Sequence, residues 1–189
     1  MSQNRSELDL LQEWYAYNSF VRKKYYRTLL KLPKSTITKK IEASFPSILQ
    51  IYVHVLDAYR WWFFYVYPDK LHEYTRLRDA GLTLNQVREE ELRIDSHVKE
   101  FLHGLSLADL ERSVTWHYRT RAGKRGGKVL KCTLRDMLWH MVEEELQHRG
   151  ELNALLWQTN VEPPITGWNP WEEDTRANVF WKRWRDLKH

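Results

Sequence analysis

Residues 134–157 read LRDMLWHMVEEELQHRGELNALLW. Leu134, Leu138, Met141, Glu145, His148, Leu152 and Leu155 follow one another at intervals of 4, 3, 4, 3, 4 and 3 residues. That alternation predicts a helix with one seam turned toward a core. Thr133, with Asp136 three residues on, is a capping pair that starts it. Two polar side chains, Glu145 and His148, interrupt the seam in its middle, and Glu144 sits beside them. His140, Glu144 and His148 stand four apart, so each is displaced by only ~40° around the axis. They form a nearly vertical ladder of metal-ligating side-chain types.

The chain upstream reads as further helices. Ser6 with Asp9 opens the first, whose apolar positions recur from Leu10 to Leu29 at helical spacing; Pro33 and the cluster Ser35, Thr36 and Thr38 end it. Ser47 with Gln50 opens the second, which runs to just before Pro68. It is apolar almost all round and is expected to be the most buried. Thr83 with Gln86 opens the third; Val87, Leu92, Ile94, Val98, Phe101 and Leu102 are expected to face inward, and Gly104 closes it. Val114 to Thr120 is rich in β-branched and aromatic residues and reads as a strand. Gly123, Gly126 and Gly127 turn the chain, and Lys128 to Cys132 returns as the other half of a hairpin.

The fold class that results is all-α: a four-helix bundle with a small β-hairpin before the last bundle helix. Residues 1–162 form the bundle domain. Residues 163–189 form an aromatic-rich C-terminal tail, carrying Trp171, Phe180, Trp181 and Trp184, that packs on the bundle or on a partner chain. Composition agrees. Seven glycines and six prolines among 189 residues are few chain breakers, which favours long helices over many short strands. Ten tryptophans supply ample bulk for a core.

Composition also excludes some functions. A single cysteine, Cys132, rules out an internal disulfide, all-cysteine zinc sites and iron–sulfur clusters, and fits a reducing compartment. The polar start, Met1 to Asp9, lacks the apolar stretch of a signal peptide. The most apolar run, Ile48 to Tyr67, holds His54, Asp57 and Arg60, so it is a core helix and not a membrane span. A cytoplasmic location is expected. The net charge of +5 is mild and permits an acidic partner without demanding one.

One imidazole stands out in that greasy second helix: His54, within Ile51-Tyr52-Val53-His54-Val55-Leu56. Burying an imidazole or carboxylate without a partner costs several kcal/mol for an unpaired charge. Bringing His54 to the ladder on the last helix resolves all of these groups together. Two imidazoles and a carboxylate are a ligand set for Zn²⁺ or another divalent ion with open positions. The plainer alternative is a set of hydrogen-bonded core side chains.

The stretch Phe45-Pro46-Ser47-Ile48-Leu49-Gln50…His54…Asp57…Trp61 resembles the second helix of the DinB/YfiT-like family. His140-Met141-Val142-Glu143-Glu144-Glu145-Leu146-Gln147-His148-Arg149-Gly150-Glu151-Leu152 resembles that family's closing motif, a ligand residue four before a His-Arg-Gly triplet. The likeness spans roughly residues 10–160. It implies a four-helix bundle, often a homodimer, with a divalent metal (Zn²⁺ or Ni²⁺ first, Mn²⁺ or Fe²⁺ also) held by three side chains. Family members of known activity include metal-dependent thiol S-transferases and a thiol-dependent isomerase. Carried across, the family's second-helix His is His54 and its last His is His148. The usual His four earlier is Glu144 here, a departure that favours harder ions. His140, Glu145 and Arg149 are candidates for supporting these ligands, with His140 alternatively taking the place of Glu144. The implied substrate is a small molecule, with a thiol or water as nucleophile.

Three other readings compete. Glu145-x-x-His148 and Glu100-x-x-His103 have the spacing of carboxylate di-metal bundles, although His103 adjoins Gly104 at a helix end, where the dipole explains a histidine. The hairpin cluster Arg119, Arg121, Lys124, Arg125, Lys128 and Lys131, near Trp116 and Tyr118, is a nucleic-acid-binding candidate; the same charges also keep a hairpin from pairing at its edges. A metal-free, noncatalytic interaction protein would use the Trp-rich tail, with Tyr15, Tyr17, Tyr25 and Tyr26 as further surface aromatics or as core.

Overall fold

The computed structural model of the chain describes residues 5–119 and 125–166. Its helices are α1 (Glu7–Leu29), α2 (Lys34–Thr38), α3 (Ile48–Arg60), α4 (Leu84–His103) and α5 (Leu134–Gln158), with strands β1 (Ser113–Arg119) and β2 (Arg125–Thr133) between α4 and α5. The capping pairs start their helices as expected. Ser6, Ser47, Thr83 and Thr133 each accept a hydrogen bond from the backbone N–H three residues on. In α1, α4 and α5 the third residue also caps in return, so the bundle helices begin on satisfied donors.

α3 is the centre of the bundle. Ten of its 13 residues are buried, and it packs against α4 and α5. It continues as a π-helical turn over Trp61–Val66, which stops before Pro68. The seam on α5 is buried along its whole length, from Leu134 to Leu155, with Glu145 and His148 inside it. β1 and β2 pair antiparallel, Val114 opposite Cys132 and Trp116 opposite Leu130. No described helix is long and apolar enough to cross a membrane.

Three local expectations are corrected. The Ser35, Thr36 and Thr38 cluster does more than end α1: it forms the short helix α2, started by Pro33 and anchored by buried Ile37. Leu92 is 52% exposed; the inward position beside it belongs to Glu91, which the polar cluster below draws in. Gly126 and Gly127, expected in the turn, lie in β2. Of the two readings of Tyr15, Tyr17 and Tyr25, surface aromatics or core, the structure has them in the core. The tail tryptophans and the hairpin turn with Arg121 and Lys124 lie outside the described residues.

The polar cluster lies between α1, α4 and α5. Arg22 is 4% exposed. It donates to Glu145 and approaches Glu91 (3.8 Å) and Asp95 (3.5 Å). Its guanidinium also lies over the Tyr59 and Tyr15 rings, at 4.9 and 5.4 Å. Burial alone would discharge it, but the surrounding phenol and carboxylate oxygens outweigh that penalty and keep the charge firmly in place. Tyr52 donates to Glu91 at 2.9 Å, and Arg88 pairs with the same carboxylate oxygen at 2.7 Å. Arg149 donates to the Tyr17 hydroxyl (2.9 Å) and to Asn18 (2.7 Å).

Asp57 ties the α3–α4 connection to the core. It accepts from the backbone N–H of Leu77 (3.0 Å) and from the Tyr74 hydroxyl (2.9 Å). Arg22→Met should lower unfolding free energy in urea by ~3–5 kcal/mol, because it takes from the buried Glu145 carboxylate the cation that donates to it. A loss below ~1 kcal/mol would mean that the cluster is not held by this cation.

Candidate metal centre

Helical spacing turns His54 from the middle of α3 toward α5, between buried Val53 and Val55. There it meets Glu144 and His148. His54 Nε2 lies 2.7 Å from Glu144 Oε1, and His148 Nε2 lies 3.3 Å from the same oxygen. One ligand atom of each residue falls within 4.8 Å of the others, a group that could hold a metal ion. The His54 side chain is 27% exposed, Glu144 14% and His148 only 5%, so solvent reaches the site past His54 and Glu144 while His148 is enclosed.

The stretch leading into α3 covers the site. The Phe45 ring stacks on His54 with centroids 4.0 Å apart and meets His148 edge-on at 5.7 Å. One residue earlier, Ser44 donates its N–H (2.8 Å) and its hydroxyl (2.6 Å) to the two oxygens of Glu151. Glu151 Oε2 in turn lies 3.0 Å from His148 Nδ1. The carboxylate is acceptor-only when ionised, so His148 Nδ1 carries the proton in that bond. Nε2 faces a second carboxylate, Glu144, so the metal-free ring is held protonated on both nitrogens; on loss of one proton the Glu151 bond keeps it at Nδ1 and frees Nε2 toward the shared space.

The electrostatics follow from these contacts. Hydrogen bonds from His148 and His54 hold the Glu144 carboxyl far below its ordinary 4.5, against the opposing effect of burial. For His148, burial pushes the pKa down, but the bonds to Glu144 and Glu151 and their charge outweigh it and raise it above 6.5. Burial likewise pushes Glu151 up, and Ser44 and His148 overcome that and lower it.

The other candidates fall elsewhere. His140 is the outer rung of the ladder. Its Nε2 lies 4.0 Å from Glu144 Oε2, its side chain is 44% exposed, and its ring meets the edge of Trp62 at 5.8 Å. Glu145 and Arg149 point to the α1 side of α5, where Arg22, Tyr17 and Asn18 engage them. Glu100 and His103 are exposed, and His103 Nδ1 bonds back to the Lys99 carbonyl at 2.6 Å; they do not join the three-residue group. Lys128 and Lys131 are exposed on β2. Burial raises the Cys132 thiol pKa, with the charge of Asp136 adding to it, so Cys132 is not an activated nucleophile. Glu151, Ser44 and Phe45 had no role assigned from sequence, although Phe45 and Glu151 stand in the stretches that resemble the family. Glu151 had a signal, since three residues after His148 shares its helix face; the other two come from a connection whose path no periodicity reveals.

A pH prediction follows for chelator-treated protein. Raised in the folded state, His148 contributes stability that is fully present below pH 6.5 and is lost as pH rises through its higher folded value. Depressed, Glu144 contributes above pH 4.5 and loses that contribution only as pH falls through its lower folded value. The melting-temperature advantage of the native chain over His148→Asn should therefore be greatest between pH 4.5 and 6.5 and shrink toward alkaline pH. An advantage that stays flat or grows with rising pH would contradict this network.

Two comparisons with known proteins bear on the site. The family model described as "DinB family" matches residues 1–178. The "Protein DinB" of Bacillus subtilis (strain 168) is 25% identical over 154 residues, covering 79% of this chain and 86% of that protein. With the helical bundle, the hairpin before its last helix and the α3–α5 histidine pair in place, the match covers the elements that form the site. The chain belongs to the DinB family.

Proposed function

We propose that His54, Glu144 and His148 hold one divalent metal ion, and that the protein is a metal-dependent transferase or hydrolase acting on a small molecule with a thiol or water as nucleophile. The observation that carries this reading is the carboxylate–histidine arrangement. Glu151 fixes the His148 ring through Nδ1 at 3.0 Å and leaves Nε2 directed at the space shared with His54 and Glu144. Metal-ligating histidines are held in this way by a carboxylate behind them. The donor set fits a divalent ion: two imidazole nitrogens and one carboxylate oxygen within 4.8 Å of one another.

When bound, such an ion supplies Lewis acidity, which lowers the pKa of a thiol or water so that its anion is present near neutral pH. The protein's own groups do the rest. Glu144 contributes a negative charge where most of the family's sites would have a neutral imidazole, which favours Mn²⁺ or Fe²⁺ more than a three-histidine set would, beside Zn²⁺ and Ni²⁺. Phe45 shields one side of His54 from water. His140, 44% exposed and with Nε2 4.0 Å from Glu144 Oε2, stands outside the ligand set.

Metal analysis tests the reading. After supplementation with Zn²⁺, Ni²⁺, Mn²⁺ or Fe²⁺ and exhaustive dialysis, the native chain should retain about one ion. The His54→Ala/His148→Ala variant should retain less than about a tenth of that, and His140→Ala should keep its ion. Equal, near-zero content in the native and double-variant proteins would overturn the proposal.

A further inference from the structure

A cavity of about 420 Å³ opens at the end of the bundle where α1 finishes, within the ~300–1,000 Å³ range of small-molecule sites. Its apolar wall comes from four separate stretches: Leu29 of α1, Ile37 of α2, Leu49 and Val53 of α3, and Leu77 and Leu82 of the α3–α4 connection. Asp57 fixes that connection through the Leu77 N–H at 3.0 Å, so the wall is held by a buried anchor.

The polar lining is selective. Lys34 and Arg78 line the cavity and no acidic residue does. Its neutral polar groups are already engaged: Gln50 donates to the Arg78 carbonyl at 3.3 Å, Thr38 to the Lys34 carbonyl at 2.8 Å, and Asn85 accepts from Tyr26 at 3.4 Å. The two cations are less so. Lys34 has no ion pair among the described residues, and Arg78, whose guanidinium lies over the Phe45 ring at 5.5 Å, has as its nearest carboxylate only that of its chain neighbour Asp79, at 3.9 Å and 68% exposed. An apolar body therefore finds a matching wall, and an anionic head finds two positive charges, neither of them closely paired with a carboxylate.

We infer that this cavity is a second binding site, separate from the α3–α5 histidine cluster, for a medium-chain fatty carboxylate whose chain lies among Leu29, Ile37, Leu49 and Leu82 and whose head meets Lys34 and Arg78. The inference does not rest on a metal at His54 and His148. A carboxylate could also reach a metal ion, so the test uses full-length, chelator-treated protein.

Calorimetric titration with decanoate and octanoate below their micelle concentrations should give saturable binding of one molecule per chain, with decanoate tighter by roughly tenfold from its two extra methylenes. Octyltrimethylammonium should not bind. Nuclear Overhauser contacts from the decanoate chain should fall on the Ile37 and Leu49 methyls. Lys34 is exposed, so Lys34→Glu leaves the fold intact and should weaken decanoate by roughly tenfold. Leu82→Trp, which fills the mouth, should abolish binding. Equal affinity for the cationic and anionic amphiphiles, contacts to methyls elsewhere, or binding that disappears on chelation would each overturn the inference.

Discussion

The Glu144 carboxylate is the point on which the two halves of the bundle meet. Oε1 sits between His54 of α3 and His148 of α5, at 2.7 and 3.3 Å, so a single oxygen joins the most buried helix to the last one. Neither histidine could stay in an apolar interface alone at small cost. The surrounding parts serve this junction. Phe45 covers it, Ser44 and Glu151 orient the His148 ring, and the capped start of α5 sets the rotation that places Glu144 and His148 on one face. In the metal-free protein the same groups form a self-satisfied ionic network. With a metal bound they become a ligand set with its tautomer already chosen, and protons and metal compete for the same nitrogens.

A second polar feature, the Arg22 cluster, lies on the other side of α5 and plays a different part. Glu145 and Arg149 neighbour the ligands in sequence, but one residue along a helix is ~100° around it. That rotation sends them toward α1, where they fix how α1, α4 and α5 pack. Adjacent glutamates thus divide the work: Glu144 faces the candidate site, Glu145 the structural cation, and Glu143 the solvent, with its side chain 76% exposed.

Much of this was legible because it rests on local rules. The heptad spacing of α5, the four capping pairs and the existence of the hairpin are set by side chains within a few residues of one another and stand in the structure; the start of β2 is shifted, to Arg125, which takes Gly126 and Gly127 into the strand. The convergence of His54 with Glu144 and His148 was legible for another reason: polar groups in greasy seams must find each other. What escaped depends on nonlocal geometry. Leu92 carries an apolar side chain at a helix position that tertiary packing gives to Glu91, because Arg22, Arg88 and Tyr52 can satisfy a carboxylate there. Ser44 and Phe45 act through a connection without period. The Lys34–Arg78 cavity is assembled from four segments remote in sequence, with no motif in any of them.

X-ray absorption at the metal edge of reconstituted protein tests the central claim most directly. The account predicts two imidazole nitrogens and a carboxylate oxygen at ~2.0–2.2 Å if the ion is zinc, with one imidazole's scattering lost in His54→Ala. A shell of oxygen scatterers alone, unchanged by that substitution, would contradict it.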